Sequence, residues 1–227
     1  MRCRTIRGLV VSTILLSSLT FATINNPTVI YVNASAAGAN TGTSWADAFT
    51  TLQPALDAAQ TGTEIWVAAG TYKPSKLIQA TYDIQYKTFQ LKHGVGIYGG
   101  FAGIETKRDQ RSSDPNLTIL SGDINGDDTD VIGWMVPERF DNSYHVFYHP
   151  DGLNLDAAAI LDGFTIKDGN PRVSYGTDYH CGGGMFNGDG NCPTINNCIF
   201  KHNAAVYGAG MYNAKLSSPT ITRCIFM

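Results

Sequence analysis

The densest set of oxygen ligands in the chain is the acidic stretch 123–130, Asp-Ile-Asn-Gly-Asp-Asp-Thr-Asp. Asp123, Asn125 and Asp127 alternate across a glycine turn, as in calcium-binding loops, because this hard cation takes about six to eight oxygen ligands. The EF-hand spacing is not met, since the twelfth position counted from Asp123 is Trp134 instead of Glu. The same residue types also form solvated turns. Calcium and a simple turn are therefore both open interpretations of Asp123, Asn125 and Asp127.

The sequence contains no set of residues with the spacing expected of a catalytic site. His145 and His149 fall on a predicted strand, which would place them on one side but about 13 Å apart, too far for a metal pair. No G-x-S-x-G motif supports a Ser-His-Asp site, and no Cys/His set has metal-ligand spacing. Lys107, Arg108 and Arg111 precede the acidic stretch, but charged loop residues are usually solvated. We assign no catalytic and no cofactor-binding residue, and calcium is the one cofactor under consideration.

The strongest pattern in the chain is an ungapped repeat. Residues 181–201 and 207–227 share ten identities in 21 positions. Both copies contain Gly-x-Gly-Met-x-Asn followed by Pro-Thr-Ile-x-x-Cys-Ile-Phe. The two copies begin 26 residues apart. A period of this size indicates a solenoid, in which each unit buries its apolar face against the next unit.

The second half of the repeat predicts a corner. Side chains alternate along a strand, so Ile195 and Cys198 cannot both point into the core from one straight strand. The parity breaks at Asn196 and Asn197, and Asn accepts left-handed backbone angles more readily than most residues. Strand, Asn corner, strand and Gly-rich turn describe one coil of a parallel β-helix. Because strand crossovers are nearly always right-handed, we expect an all-β, right-handed parallel β-helix.

Equivalent residues of the two copies would then stack about 4.8 Å apart. The pairs expected to stack are Cys198 with Cys224, Asn187 with Asn213, and Phe200 with Phe226. The Cα distance expected for Cys198 and Cys224 lies within the disulfide range, although reduced thiols also pack well as small apolar groups. We favour reduced stacking for this pair. Cys181 and Cys192 could close the intervening loop, and oxidation stays open in an exported protein.

A cap is expected at the start of the solenoid. Phe49, Leu52, Leu56 and Ala59 recur at helical spacing and predict a short amphipathic helix between two strands. Pro54 is compatible with that helix only in its first turn. Such a cap covers backbone edges that would otherwise invite aggregation.

We divide the chain into three parts. Residues 23–70 are the expected N-terminal cap and first coil, and residues 71–227 are the further coils, with the last one truncated at the C-terminus. Residues 1–22 resemble a secretory signal peptide, because three arginines precede an uncharged stretch that ends in small residues. The stretch is short for a membrane span. The expected location is extracellular or at the cell surface.

Charge and composition exclude some partners. Of 227 residues, 43% are apolar and 15% charged, with net charge −3. Without the three arginines of the signal peptide, 13 basic residues face 19 acidic ones, a net charge of −6. No basic stripe with interleaved aromatics is present, which argues against nucleic acid as a partner. No later apolar stretch is long enough to span a membrane.

The motifs also carry a family resemblance. The segments 42–49, 52–59, 64–72, 97–106 and 117–123 resemble the opening of exported bacterial proteins of the right-handed parallel β-helix, or pectate-lyase-like, superfamily. Gly182-Gly-Gly-Met185 with Phe200-Lys-His-Asn203 is similar to the paired motifs of polymorphic outer-membrane protein repeats. The resemblance covers most of the chain after residue 22 and implies fold and export more strongly than activity.

Two functions follow as expectations. The first is a secreted or cell-surface β-helix with a structural, adhesive or carbohydrate-contacting role, whose partner is a polysaccharide or a host or neighbouring cell surface. The alternative is a polysaccharide lyase or glycoside hydrolase with an active groove partly outside these residues. The missing catalytic set favours the first, since a fold alone does not fix a function. An uncapped C-terminal edge also predicts self-association.

Overall fold

A computed structural model describes residues 28–78, 83–129, 136–171 and 180–227 of the chain. The predicted signal peptide, residues 1–22, lies outside the described residues. So does the beginning of the predicted cap, residues 23–27.

The described residues are mostly β-structure with one α-helix, α1, at Leu52–Ala58. The strands are β1 (Thr28–Val32), β2 (Thr63–Ala68), β3 (Gly70–Tyr72), β4 (Gly96–Phe101), β5 (Thr118–Ser121), β6 (Phe147–His149), β7 (Ile160–Asp162), β8 (Thr165–Lys167), β9 (Met185–Asn187), β10 (Thr194–Asn196), β11 (Ile199–Lys201), β12 (Met211–Asn213), β13 (Thr220–Thr222) and β14 (Ile225–Phe226). Short 3₁₀ helices lie at Ile84–Tyr86, Arg108–Gln110, Pro115–Leu117 and Pro137–Phe140.

These strands form three sheets in which every pairing of named strands is parallel. The first sheet has the order β1-β2-β4-β7-β10-β13, the second β3-β5-β8-β11-β14, and the third β6-β9-β12. From β4 onward the chain visits the first, second and third sheet in turn and then returns to the first. This path is compatible with a solenoid.

The register between the last coils follows the 26-residue offset of the repeat. Met185 pairs with Met211, and Ile195 pairs with Ile221. One coil earlier, Leu161 is the partner of Ile195. Apolar residues of equivalent type thus lie in line, and the side chains of Leu161, Met185 and Ile195 belong to one core cluster, against which Met211 packs.

The predicted corner is present between the first and second sheets. Asn197 has a φ of 49°, and Ile195 and Cys198 on either side of it are both fully buried. The same place in neighbouring coils is occupied by Gly163 (φ 87°) and Arg223 (φ 52°). A left-handed residue therefore reverses the parity of the strand, so that apolar side chains before and after it both face the core.

The helix covers one end of the core. Leu52, Ala55 and Leu56 of α1 are buried, and they belong to the same cluster as Ile65 of β2. Pro54 is the third residue of the helix, where its missing N–H costs no intrahelical hydrogen bond. The prediction of a short helix between two strands is confirmed.

The strand predicted around His145 and His149 is shorter in the structure, and the segment 88–93 pairs with it through one bridge, between Phe89 and Phe147. The ladder stops there because the Leu91 N–H donates to the His149 imidazole at 3.1 Å instead of to a backbone carbonyl. The strand expected at 144–148 begins only at Phe147, as β6.

The outer face of the first sheet carries a second apolar cluster. Trp66, Tyr98 and Phe101 form its buried part, and the rings of Trp66 and Phe101 stack with centroids 4.8 Å apart. The Arg108 guanidinium lies 4.6 Å from the centroid of the Tyr98 ring, a cation–π contact that closes the cluster from outside. This face is therefore covered by the loop after β4.

Candidate functional site

The acidic stretch lies where the second sheet ends. β5 finishes at Ser121, and the Gly122 N–H donates to the Lys167 carbonyl at the end of β8. The Ser143 N–H donates in turn to the Gly122 carbonyl. These bonds place the loops after β5 and β8 beside the 3₁₀ helix Pro137–Phe140 and the residues that follow it.

The three predicted calcium ligands lie in the hydrogen-bonded loop after β5. Asp123 is nearly buried, and its Oδ1 accepts hydrogen bonds from the N–H groups of Gly126 and Asp127. Carboxylate oxygens of Asp123 and Asp127 lie within 4.8 Å of one another and of Asp141. The Asn125 backbone N–H donates to Asp141 Oδ2 at 2.8 Å. The loop is thus also a hydrogen-bonded turn, the second interpretation raised by the sequence.

A second, more buried group contains carboxylates that the sequence analysis did not select. Oxygens of Asp123, Asp128 and Asp168 all lie within 4.8 Å of one another. The side chains of Asp128 and Asp168 are only 5% and 3% exposed. We call Asp123, Asp128 and Asp168 the carboxylate cluster. Asp168 follows β8 with a φ of 65°, a turn that carries its side chain to the loop after β5.

Basic side chains partly compensate the cluster. Arg139 Nη1 lies 3.6 Å from Asp128 and 3.8 Å from Asp168. Lys167 Nζ lies 2.8 Å from Asp168 Oδ2, which also accepts from the Ser121 hydroxyl at 2.9 Å. Lys73 is more distant, 3.9 Å from Asp123.

Burial dominates the electrostatics of Asp128. Desolvation raises the pKa of its carboxyl to about 6, against the opposing effects of the Asn142 hydrogen bond and the Arg139 charge. A carboxylate that is removed from water without full pairing resists ionisation. The carboxylate cluster therefore favours a further positive charge or a proton.

A groove of about 880 Å³ lies elsewhere, between α1, the segment 76–78, the segment 88–93 and the loop after β6. We call it the α1 groove. Its walls combine apolar residues with amide, hydroxyl and charged groups. The polar and aromatic residues that line it include Gln53, Asp57, Lys76, Gln90, Lys92 and Tyr148.

Hydrogen bonds organise one wall of the α1 groove. Asp57 accepts from Lys76 Nζ at 2.8 Å and from Gln53 Nε2 at 3.2 Å. The Lys76 hydrogen bond lowers the pKa of the Asp57 carboxyl, so Asp57 is ionised at neutral pH. Lys92 Nζ donates to the carbonyls of Leu56 and Ala59, which lie at the C-terminal end of α1. These hydrogen bonds fix the side chains of this wall relative to one another.

The residues predicted to stack lie in neighbouring strands. Asn187 pairs with Asn213, and Phe200 pairs with Phe226; the two phenyl rings stack with centroids 4.8 Å apart. The thiol of Cys198 hydrogen-bonds to the Asn196 carbonyl at 3.1 Å, and that of Cys224 to the Thr222 carbonyl at 3.4 Å. Cys181, Cys192, Cys198 and Cys224 are all free thiols.

His145 and His149 belong to the core instead of to a surface site. Both are buried, and burial lowers the pKa of each imidazole to about 4. His145 Nδ1 contacts the Gly182 carbonyl at 3.0 Å, and His149 Nδ1 contacts Asn187 Oδ1 at 2.6 Å. They are neutral packing residues at physiological pH.

Within the described ranges, no helix has the length and apolar character needed to cross a membrane. Comparison with protein-family models, with curated proteins and with solved structures yields no match for this chain.

Proposed function

We propose that the chain is an exported parallel β-helix that binds carbohydrate at the cell surface, without catalysis, through the α1 groove. The order in which the chain visits its three parallel sheets supports the β-helix. The corner at Asn197, repeated at Gly163 and Arg223, supports it further.

The observation that carries the binding function is an unused acceptor in the groove wall. Gln53 is 9% exposed, and its Oε1 has no hydrogen-bond partner among the described residues, while its Nε2 is held by Asp57. A buried amide oxygen without a partner costs free energy of about 1–3 kcal/mol. Rotation of the Gln53 side chain toward the groove would let a ligand hydroxyl donate to this oxygen and recover that free energy.

The rest of the α1 groove suits a sugar chain. Sugar hydroxyls donate and accept, and the wall offers both the ionised Asp57 and the Lys76 ammonium. Leu77, Ile78 and Leu153, which line the groove and are exposed or half-buried, provide apolar surface for the C–H faces of the rings. The volume also lies within the range typical of ligand sites, about 300–1,000 Å³.

The alternative, a lyase or hydrolase, would draw on the carboxylate cluster. Two carboxyl groups with different pKa values are the pattern of a glycosidase, and Asp128 has a raised pKa of about 6. However, the side chains of Asp128 and Asp168 are at most 5% exposed, so a sugar does not reach them in this arrangement. This burial favours the non-catalytic function.

Affinity electrophoresis in gels that contain neutral or uronate-rich polysaccharides tests the proposal. We expect retardation of the wild-type protein by at least one polysaccharide, and about fivefold weaker retention of Gln53→Ala, which loses one hydrogen bond. Lys201→Ala, which changes a lysine of β11 that does not line the groove, should behave as wild type.

Two outcomes would argue against binding without catalysis in this groove. One is wild-type retention by Gln53→Ala. The other is release of unsaturated sugar products, seen by ultraviolet absorbance, which would support the lyase instead.

A further inference from the structure

The carboxylate oxygens of the carboxylate cluster outnumber the short contacts that basic side chains make with them. Each member contributes an oxygen within 4.8 Å of the other two. Asp128 Oδ1 is buried and has no hydrogen-bond partner among the described residues. Carboxylates withdrawn from water in this way are stabilised by pairing or by a metal ion.

The basic residues do not complete this compensation. Arg139 Nη1 is 3.6 and 3.8 Å from its two carboxylates, which is longer than a charge-assisted hydrogen bond of about 2.7–2.9 Å. Arg139 Nη2 instead donates to the His202 carbonyl at 2.7 Å. Lys167 contacts only Oδ2 of Asp168 and leaves Oδ1 without a short ionic contact.

A neutral side chain adjoins the cluster with an unused oxygen. Asn142 is fully buried, and its Nδ2 donates to Asp128 Oδ2 at 2.8 Å. Its Oδ1, on the same carboxamide, has no partner among the described residues. Rotation of the carboxamide by half a turn exchanges the two atoms. Asn142 Oδ1 would then face Asp128 Oδ2, an arrangement that a cation between them stabilises.

Ser143 extends the same pattern. Its side chain is fully buried, and its Oγ also lacks a partner among the described residues. Its backbone N–H is bound to Gly122, the residue before Asp123. Asp128, Asn142 and Ser143 therefore each have a buried side-chain oxygen without a hydrogen-bond partner among the described residues. All three residues lie in the segments that form or adjoin the carboxylate cluster.

We propose that Asp123, Asp128 and Asp168 bind one calcium ion, with Asn142 as a neutral oxygen ligand. Hard oxygen donors of this mixed type are those that Ca²⁺ prefers, and its flexible coordination tolerates an irregular set better than Mg²⁺ does. This site is separate from the α1 groove and does not depend on the carbohydrate function. It also differs from the set Asp123, Asn125 and Asp127 predicted from sequence.

The nearby Arg139 and Lys167 charges weaken the attraction for a cation. The expected Kd is accordingly on the order of 10⁻⁴ to 10⁻³ M, the range of extracellular calcium modules. Isothermal titration of the metal-stripped protein with calcium chloride should show one ion per chain. Asp128→Asn and Asp168→Asn should each bind at least tenfold more weakly, since a charged ligand is lost.

Asp127→Asn is the matched control, because Asp127 is an exposed carboxylate of the other acidic group. It should retain the wild-type affinity within about twofold. Asn142→Ala removes a neutral ligand and keeps every carboxylate, so it should bind about fivefold more weakly. Circular dichroism reports whether each variant is folded.

The proposal is wrong if the folded wild-type protein shows no saturable calcium binding. It is also wrong if folded Asp127→Asn loses binding while folded Asp128→Asn or Asn142→Ala keeps it. The wild-type titration is decisive even if a cluster variant does not fold.

Discussion

Asn187 Nδ2 donates a hydrogen bond to Asn213 Oδ1 at 2.8 Å, across two paired strands of the third sheet. Asn187 Oδ1 is in turn 2.6 Å from His149 Nδ1 in the preceding strand. Because the Leu91 N–H donates to His149 Nε2, the imidazole carries its proton on Nδ1 and donates to Asn187. One line of hydrogen bonds thus connects Leu91 with the three neighbouring strands β6, β9 and β12 of the third sheet.

Loss of the middle member of this line should destabilise the protein. Asn187→Ala leaves the buried His149 N–H without an acceptor, and we expect a loss of about 1–3 kcal/mol in the free energy of unfolding, measured by urea denaturation. Asn213 is exposed, so Asn213→Ala should cost roughly 0.5 kcal/mol or less. If the two substitutions lowered the free energy of unfolding equally, the larger stabilising role of the buried Asn187 would be contradicted.

Acid should destabilise the fold through the buried histidines. The folded pKa of His145 and of His149 is about 4, below the ordinary value of 6.5, so the unfolded chain binds protons first as pH falls. Stability is therefore full above about pH 6.5 and declines between pH 6.5 and 4, by up to about 3 kcal/mol for each histidine. Asp128 opposes this trend, because its folded pKa is raised to about 6.

Urea midpoints measured from pH 7.5 to pH 5 test that dependence. The midpoint should fall with pH in the wild-type protein, and the slope should be shallower in His149→Gln. A midpoint that is independent of pH would contradict burial of neutral histidines.

Cys192 and Cys224 are both partly exposed, and Cys224 should be the faster of the two to react with an alkylating agent. A hydrogen bond from Cys198 lowers the pKa of the Cys224 thiol to about 7, and the thiolate is the nucleophile. Iodoacetamide at neutral pH should therefore alkylate Cys224 before Cys192, as read by peptide mass spectrometry. Burial raises the pKa of Cys198, which should react last. Faster alkylation of Cys192 than of Cys224 would contradict the lowered pKa of the Cys224 thiol beside Cys198.

Among the described residues β13 and β14 are outermost strands of their sheets, and their exposed apolar side chains should promote self-association of the 227-residue polypeptide. Ile221, Ile225 and Phe226 are 42–52% exposed in these strands, where backbone groups of a strand are open to pairing. Ile225→Asp should lower the association seen by analytical ultracentrifugation. Leu216→Asp, an exposed loop position outside the strands, is the matched control. A wild-type protein that stays monomeric at high concentration would contradict this prediction.

The sequence predicts best the parts of the fold that the repeat encodes. The corner at Asn197 follows from the parity of Ile195 and Cys198 alone, since both must be buried on strands with a two-residue period. The helix Leu52–Ala58 follows from its apolar spacing. In both cases the determining contacts are local or recur at a fixed offset.

The candidate sites depend on contacts that no pattern encodes. Asp123 meets Asp168 because β5 and β8 are neighbours, although the segment between them contains long irregular loops and no repeat. Gln53 and Gln90 likewise line the same groove, although they are far apart in the sequence and belong to no repeat. The acidic stretch in the sequence indicates a cation near Asp123, but no sequence pattern points to Asp168 or Asn142.

The most direct test of carbohydrate binding in the α1 groove is backbone NMR of the labelled protein during titration with oligosaccharides from a polysaccharide that retards it in gels. We predict that the largest shift changes occur at Gln53, Asp57, Lys76 and Gln90. Changes confined to other surfaces, such as the outer face of the first sheet around Tyr98, or no changes at all, would contradict the proposed function.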